Sequence, residues 1–183
     1  KERWSMFGDA TAAIRESTRM GVNTMEPTNL RLHEYQENAI DFALENRNVH
    51  MMLDMGLGKT AIALKTIQAV GIPALVIAPL RPCYVTWPQE IKKWTPDLSH
   101  VILHGKNKDT NVFLNANIYV MNYEGLRWFM GKIRSGVKKW KQFFLVLDES
   151  SYIKSPKTKR FKYLRTLDPL WSDYRMLLSA TPA

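Results

Sequence analysis

The chain has 183 residues, of which 45% are hydrophobic and 23% charged, and it carries a net charge of +9. This length and composition predict one globular domain with a substantial core and exclude a disordered chain. A single cysteine excludes an internal disulfide and fits an intracellular compartment, cytoplasmic or nuclear, and no apolar run approaches the roughly 18 residues of a membrane span.

The positive charge is concentrated in one third of the sequence. Between Lys132 and Arg165 there are 11 basic and 2 acidic residues, which leaves 15 of each sign in the rest of the chain. Such a basic excess suits a polyanion such as nucleic acid. The alternative is a lysine-rich solvated surface, and for any single lysine that is the better interpretation.

The first 29 residues are predicted to form an N-terminal extension or linker, with a short helix at 10–20 and a breaker at Pro27. An amphipathic helix is predicted at 30–46. Gln36 lies near its start, 23 residues before Lys59. Because an amide both donates and accepts hydrogen bonds, Gln36 can read the N6/N7 edge of adenine. A solvated glutamine is the alternative interpretation.

A phosphate-binding loop is predicted between an apolar strand at 49–53 and a helix at 60–70. Its glycines let N–H groups point at phosphate oxygens, and the helix N-terminus adds a partial positive charge, although Leu53 stands where the usual pattern has its first glycine. Lys59 can reach the β and γ phosphates, and Thr60 can offer its hydroxyl to Mg²⁺. The predicted nucleotide contacts are Asp54, Met55, Gly56, Leu57, Gly58, Lys59 and Thr60.

The next buried strand is predicted at 74–78 and is followed by a helix that runs through Trp94. Within that helix Trp87 and Trp94 are predicted to pack in the core. Ligands of parallel sheets lie at the carboxyl ends of strands, so Pro79 and Arg81 are candidate contacts to a nucleic-acid backbone. Later elements are strands at 101–103 and 117–121, a polar loop at 105–111, a helix through 130 and a basic connector at 132–141.

Two acids follow the apolar strand predicted at 143–147. Carboxylates at the tip of a buried strand are costly unless they have a function or a cation. Asp148 is predicted to hold Mg²⁺ through water, and Glu149 to orient and activate the attacking water. With the phosphate loop, this is the Walker A and Walker B arrangement, which predicts ATP hydrolysis with Lys59, Asp148 and Glu149 as the catalytic residues.

The end of the sequence combines a basic helix with a final strand. The helix is predicted within 154–165, after Pro156, and the strand at 175–178 leads into Ser179-Ala180-Thr181-Pro182. The candidate nucleic-acid contacts of the basic segment are Lys154, Lys157, Lys159 and Arg160.

Together these motifs resemble those of superfamily-two helicases, and most of all those of the Swi/Snf-like ATPases, which include chromatin remodellers and bacterial and phage relatives. The resemblance covers about residues 30 to 183. The segments that carry it are Gln36, Met55–Thr60, Leu75–Pro79 with Trp87, Glu90 and Trp94, Tyr119–Glu124, Asp148-Glu149 with Ile153-Lys154, and Ser179–Thr181.

The resemblance implies an α/β fold, the first of two RecA-like lobes, with a mostly parallel central sheet in a three-layer α/β/α arrangement. It implies ATP and Mg²⁺ as cofactors, with Gln36 at adenine and His33 beside the ring. Double-stranded DNA is the implied partner, with Asn122 and Tyr123 at the phosphate backbone. Ser179 and Thr181 are implied to couple hydrolysis to movement.

The second lobe, which carries the arginine fingers of the family, is absent from the 183 residues. We therefore expect a fragment that binds ATP weakly and hydrolyses it poorly alone. The sequence also departs from the family where Ser151 replaces the histidine that follows the two acids. An RNA or single-strand helicase of the same superfamily, or a non-catalytic nucleic-acid-binding module, is the alternative function.

Overall fold

A computed structural model describes residues 30–135, 142–153 and 155–180 of the chain. The chain divides into two compact units, Lys1–His33 and Glu34–Ala183, and the fold given below is that of the second. The predicted helix at 10–20 and linker at 21–29 lie outside the described residues. The proposed domain boundary near residue 30 stays a prediction.

The described helices and strands alternate along the chain. The helices are α1 Glu34–Asn46, α2 Lys59–Val70, α3 Trp87–Trp94, α4 Lys108–Asn111, α5 Leu126–Arg134 and α6 Lys159–Thr166. The strands are β1 Asn48–Met52, β2 Ala74–Ala78, β3 His100–Ile102, β4 Ile118–Asn122, β5 Phe143–Asp148 and β6 Trp171–Ser179. A π-helical turn at Pro82–Thr86 leads into α3, and short 3-10 turns follow β4, β5 and α6.

The six described strands form one parallel sheet in the order β1-β6-β5-β2-β4-β3. Met52 pairs with Ser179 across β1 and β6, and Ala78 pairs with Asn122 across β2 and β4. The predicted parallel α/β fold is therefore confirmed. Because all strands point the same way, the segments that follow β1, β2, β4, β5 and β6 emerge at one edge, which we call the carboxyl edge.

Alternate residues of the strands fill two cores, one on each side of the sheet. On one side Val76 and Val146 pack with Ile62 of α2 and Trp87 of α3. On the other side Leu75 and Leu145 of the same strands face α5 and α6. All five residues of β2 are buried, which is why this strand is apolar throughout. The result is the predicted three-layer arrangement.

Helix ends follow ordinary capping chemistry. Helix α2 ends at Gly71, whose φ of 71° lets its N–H donate to the carbonyl of Ile67. Helix α6 begins after Thr158, whose side-chain oxygen accepts from the N–H of Phe161 at 3.3 Å. Among the described residues, every helix is too short or too polar to cross a membrane.

Candidate nucleotide site

The loop between β1 and α2 takes a conformation that requires glycine. Gly56 and Gly58 have φ values of 85° and 74°, in the left-handed region that other residues avoid. At Gly58 a second reason applies, because a Cβ atom there would collide with the side-chain amide nitrogen of Gln36. The two glycines therefore shape a tight turn at the N-terminus of α2, as the sequence predicts.

Lys59 lies at the first position of α2 and turns back over the loop. Its ammonium donates to the carbonyl of Leu53 at 2.6 Å and to that of Asp54 at 3.0 Å. Thr60, the next residue, is half-buried in the same first turn. Met55 is 81% exposed at the crest of the loop. The predicted nucleotide contacts from 54 to 60 thus belong to one continuous turn.

Helix α1 supports this loop from one side. Gln36 is 5% exposed, and its Nε2 donates to the carbonyl of Leu57 at 3.2 Å. The Tyr35 hydroxyl donates to the same carbonyl at 3.1 Å. Gln36 therefore has a structural contact with the loop that the sequence did not reveal, and its adenine contact stays a prediction. His33 belongs to the N-terminal unit, and its contact with the ring also stays a prediction.

Asp148 ends β5 at the carboxyl edge. Its Oδ2 accepts a hydrogen bond from the indole Nε1 of Trp87 at 2.9 Å. Burial raises the pKa of Asp148, while the Trp87 hydrogen bond and, more weakly, the positive charge of Lys59 act in the opposite direction. The phosphate loop follows β1 and Asp148 ends β5, so both lie at the carboxyl edge of the sheet.

The donor set fits a magnesium ion carried by a nucleotide. In the described residues no three His, Cys, Asp or Glu side chains form a cluster that could hold a metal alone. Mg²⁺ typically binds one or two carboxylates together with substrate phosphates and water. The half-buried carboxylate of Asp148 at the edge that carries the phosphate loop, with the hydroxyl of Thr60 in the first turn of α2, matches that requirement.

Glu149 follows Asp148 in a strained backbone conformation, with φ of 52°. Its Oε1 accepts a hydrogen bond from the Ser151 hydroxyl at 2.7 Å. The neighbouring Ser150 is buried, and its Oγ lies 3.2 Å from Nε2 of His50 on β1. Ser151, which stands at the position of the family histidine, therefore donates its hydrogen bond to Glu149, the predicted general base.

Ser179 connects the last strand to the phosphate loop. It is 1% exposed, and its carbonyl accepts from the N–H of Leu53 at 3.2 Å. This contact follows from the pairing of β6 with β1. Thr181, the other predicted coupling residue, lies outside the described residues.

Candidate nucleic-acid residues divide into exposed and internal ones. Arg81, Lys157 and Lys159 are exposed, and Pro79 and Arg160 are half-buried. The Arg160 guanidinium already pairs with Glu124 at 2.6 Å and lies over the ring of Tyr152. Lys154 lies outside the described residues.

Two of the predicted nucleic-acid contacts, Asn122 and Tyr123, have buried side chains, and their contact with nucleic acid stays a prediction. Tyr123 is 1% exposed, and its hydroxyl donates to the carbonyl of Asp148 at 2.8 Å. Asn122 is 6% exposed, and its amide donates to Glu124 at 2.8 Å. Tyr123 is drawn inward because its hydroxyl bonds to the main chain at the end of β5, whereas the Asn122 amide is held by Glu124. Glu124, the next residue in the chain, has an exposed side chain.

Trp87 is the residue whose role sequence reasoning missed. Its core packing is confirmed, since it is fully buried, but its indole N–H also reaches Asp148. Periodicity identifies buried positions and carries no signal for the direction of an N–H group. Cys83, four residues earlier, is inert by comparison, because burial raises the pKa of its thiol to about 12.

A family model described as SNF2-related domain matches residues 32–183. The helicase domino of Drosophila melanogaster is 28% identical over 97% of this chain, which spans 6% of that relative. The human DNA annealing helicase and endonuclease ZRANB3 is 32% identical over 84% of this chain, which spans 14% of it.

A solved structure agrees with these relatives. The SWI2/SNF2 ATPase core of Sulfolobus solfataricus, solved in complex with dsDNA, superposes with a TM-score of 0.70 at 28% identity, and the match covers 87% of this chain and 34% of the archaeal one. This chain thus spans about a third or less of each of these proteins. The chain belongs to the SNF2-related domain family.

Proposed function

We propose that this chain is the ATP-binding motor lobe of a DNA-dependent ATPase of the Swi/Snf type, which couples ATP hydrolysis to movement on duplex DNA. The observation that carries the proposal is the convergence at one edge of the phosphate loop, Asp148 and Ser179. The phosphate loop follows β1 and Asp148 ends β5 at that edge, and the N–H of Leu53 donates to the carbonyl of Ser179 at 3.2 Å. Three sequence motifs far apart in the chain thus lie along one edge of the sheet, which supports the proposal of a shared site.

Each residue of the proposed site would have a separate role in phosphoryl transfer. The loop N–H groups and Lys59 would bind the phosphates, and Thr60 with Asp148 would hold Mg²⁺, which neutralises charge on the phosphate oxygens. Glu149 would accept the proton of the attacking water, since it lies next to Asp148 with a carboxylate held by one hydroxyl. The contact from Ser179 to the loop supports a coupling role for the last strand.

Duplex DNA as the partner is supported by charge and by the relatives. The archaeal match was solved with dsDNA, and the human relative is named a DNA annealing helicase. In this chain Arg81, Lys157 and Lys159 are exposed basic residues. A second RecA-like lobe would complete the motor by supplying arginines to the γ-phosphate, and this chain alone should turn over ATP slowly.

The direct test of the proposal is Lys59→Ala in the full-length protein. We expect nucleotide affinity to fall at least tenfold and DNA-stimulated ATP hydrolysis to disappear, because the ammonium would supply the positive charge that binds the phosphates. Fluorescent-nucleotide binding and phosphate release measure the two effects. The matched control is Lys65→Ala on the same helix, whose ammonium bonds to Gln68 instead of the loop. Equal loss in both variants would contradict the proposed site.

The nucleic-acid partner is tested by comparing the stimulation of ATP hydrolysis by duplex DNA, single-stranded DNA and RNA. Stimulation by duplex DNA above the other two supports the proposal. Preference for RNA or single strands would favour a helicase of the same superfamily, and binding without any stimulated hydrolysis would favour a non-catalytic module. A hydrolysis rate that is the same with and without nucleic acid would contradict the motor function.

The exposed lysines before and at the start of α6 provide a separate prediction. The double variant Lys157→Gln and Lys159→Gln should weaken DNA binding and reduce the slope of log affinity against log salt by about 0.9 for each phosphate that is no longer neutralised. Fluorescence anisotropy over a salt series measures this slope. The control pair Lys92→Gln and Lys93→Gln removes two exposed lysines at the end of α3. An unchanged slope in the first pair would show that these lysines are only solvated.

A further inference from the structure

We propose that Trp87 and Tyr123 are positioning residues that fix Asp148 for magnesium binding. The inference rests on the proposed function, because it concerns the carboxylate that would hold the metal. Trp87 holds the side chain of Asp148 through Oδ2, and Tyr123 holds its main chain through the carbonyl. Neither residue is predicted to touch the nucleotide or the ion.

The indole of Trp87 is directed at Asp148 by an unusual turn. The residues Pro82–Thr86 form a π-helical turn, and the N–H of Trp87 closes it by donating to the carbonyl of Pro82. A π-helical turn changes the direction of the side chains that follow it, and such turns recur at functional sites. Trp87 is fully buried, so its indole N–H has a fixed direction toward Oδ2 at 2.9 Å.

Tyr123 holds the same residue from the neighbouring segment. Its hydroxyl donates to the Asp148 carbonyl at 2.8 Å, and its ring stacks on Tyr152 at 5.3 Å with an angle of 15°. Tyr152 is in turn covered by the guanidinium of Arg160. Asp148 at the end of β5 therefore accepts hydrogen bonds from two aromatic side chains, those of Trp87 and Tyr123.

Both donors come from segments that begin at the carboxyl edge, one after β2 and the other after β4. Arg81 precedes the π-helical turn that carries Trp87 to its place. Groups that hydrogen-bond to a metal ligand orient it, and their removal typically lowers metal affinity or activity by 10- to 100-fold. The orientation of Asp148 thus depends on two segments adjacent to the surface where DNA is proposed to bind.

The experiment compares four variants of the full-length protein in nucleotide binding over a magnesium series. Trp87→Phe should raise the Mg²⁺ concentration for half-maximal binding of a fluorescent ATP analogue by about 10- to 100-fold. Tyr123→Phe should raise it by about threefold to tenfold, since it removes one hydrogen bond to the main chain. Binding of the analogue in excess EDTA should stay within about twofold of the parent in both variants, because neither side chain is predicted to touch the nucleotide.

Each of the two variants has a matched control close to it in the chain. Trp94→Phe removes another indole on α3, whose Nε1 donates to Glu90 at 2.9 Å. Tyr119→Phe removes a hydroxyl on β4, four residues before Tyr123, which donates to the carbonyl of Leu114 at 2.8 Å. These controls remove the same kind of hydrogen bond away from Asp148, and we expect no change in their Mg²⁺ dependence. A second readout is the indole N–H resonance of Trp87, one of six, which should shift with Mg²⁺ and nucleotide together while that of Trp94 does not.

The outcomes separate this inference from the proposed function. If the parent binds Mg²⁺-nucleotide and Lys59→Ala abolishes binding, but Trp87→Phe and Tyr123→Phe keep the parental Mg²⁺ dependence, the positioning role is wrong and the proposed function stands. If binding falls equally with Mg²⁺ and in EDTA, the residues act only on the fold, and the inference is also wrong. If the parent shows no Mg²⁺-dependent nucleotide binding, both proposals fail.

Discussion

Glu149→Gln will leave Mg²⁺-dependent ATP binding within about twofold of the parent and will reduce DNA-stimulated hydrolysis by at least about 100-fold. In the parent chain the Ser151 hydroxyl donates to Oε1 of Glu149 at 2.7 Å. Glutamine keeps the shape of the side chain and has an oxygen that can accept the same hydrogen bond. It cannot take a proton from the attacking water. Phosphate release at saturating ATP and DNA, together with equilibrium binding of a fluorescent nucleotide, measures the two quantities separately.

The matched control is Glu90→Gln on α3. Glu90 is a half-buried carboxylate that also accepts one side-chain hydrogen bond, from Nε1 of Trp94. Glu90→Gln also removes one negative charge, but at a position outside the proposed site, and it should leave hydrolysis unchanged. Loss of ATP binding in Glu149→Gln would instead show that Glu149 contributes to binding. Hydrolysis at the parental rate would show that Glu149 is not the general base.

The sheet could be predicted from the sequence because each central strand is buried on both faces. The apolar runs at 74–78 and 143–147 have no polar residue to turn toward solvent, and β2 and β5 lie side by side at the centre of the sheet. The phosphate loop was predictable for a similar reason, since Gly56 and Gly58 mark a turn that other residues resist. These features are properties of single segments.

Features that depend on contacts between distant segments could not be predicted from the pattern of any single segment. The bond from Trp87 to Asp148 joins residues 61 positions apart, and its direction depends on a π-helical turn with no simple sequence signal. Helix α4 lies in a segment predicted as a polar loop, because its four residues are too few to show a period. Strand β6 starts at Trp171, four residues earlier than predicted, since the polar Ser172 and Asp173 resemble a turn.

The burial of Tyr123 shows the same limitation at a functional position. A tyrosine at the end of a strand, next to Asn122, resembles a surface contact when only the sequence is known. In the fold it lies under Tyr152 and bonds to the main chain of Asp148. The segment thus supports the end of β5 from inside the fold.

Gly58→Ala will lower the free energy of unfolding by about 2–3 kcal/mol and nucleotide affinity by at least about tenfold. Part of the stability loss is backbone strain, because φ at this position is 74°. The rest comes from Gln36, whose amide nitrogen would collide with the new Cβ and must move away, giving up its bond to the Leu57 carbonyl. Denaturant unfolding and fluorescent-nucleotide binding measure the two losses.

Two further variants separate strain from collision. Gly71→Ala places alanine at nearly the same φ, 71°, with no atom within 4 Å of the new Cβ, so it should show the strain alone, about 1–2 kcal/mol, without loss of nucleotide affinity. In a Gln36→Ala background the collision partner is gone, and Gly58→Ala should then cost no more stability than Gly71→Ala. An undiminished cost in that background would show that Gln36 does not constrain the loop, and the support of the phosphate loop by this residue would be disproved.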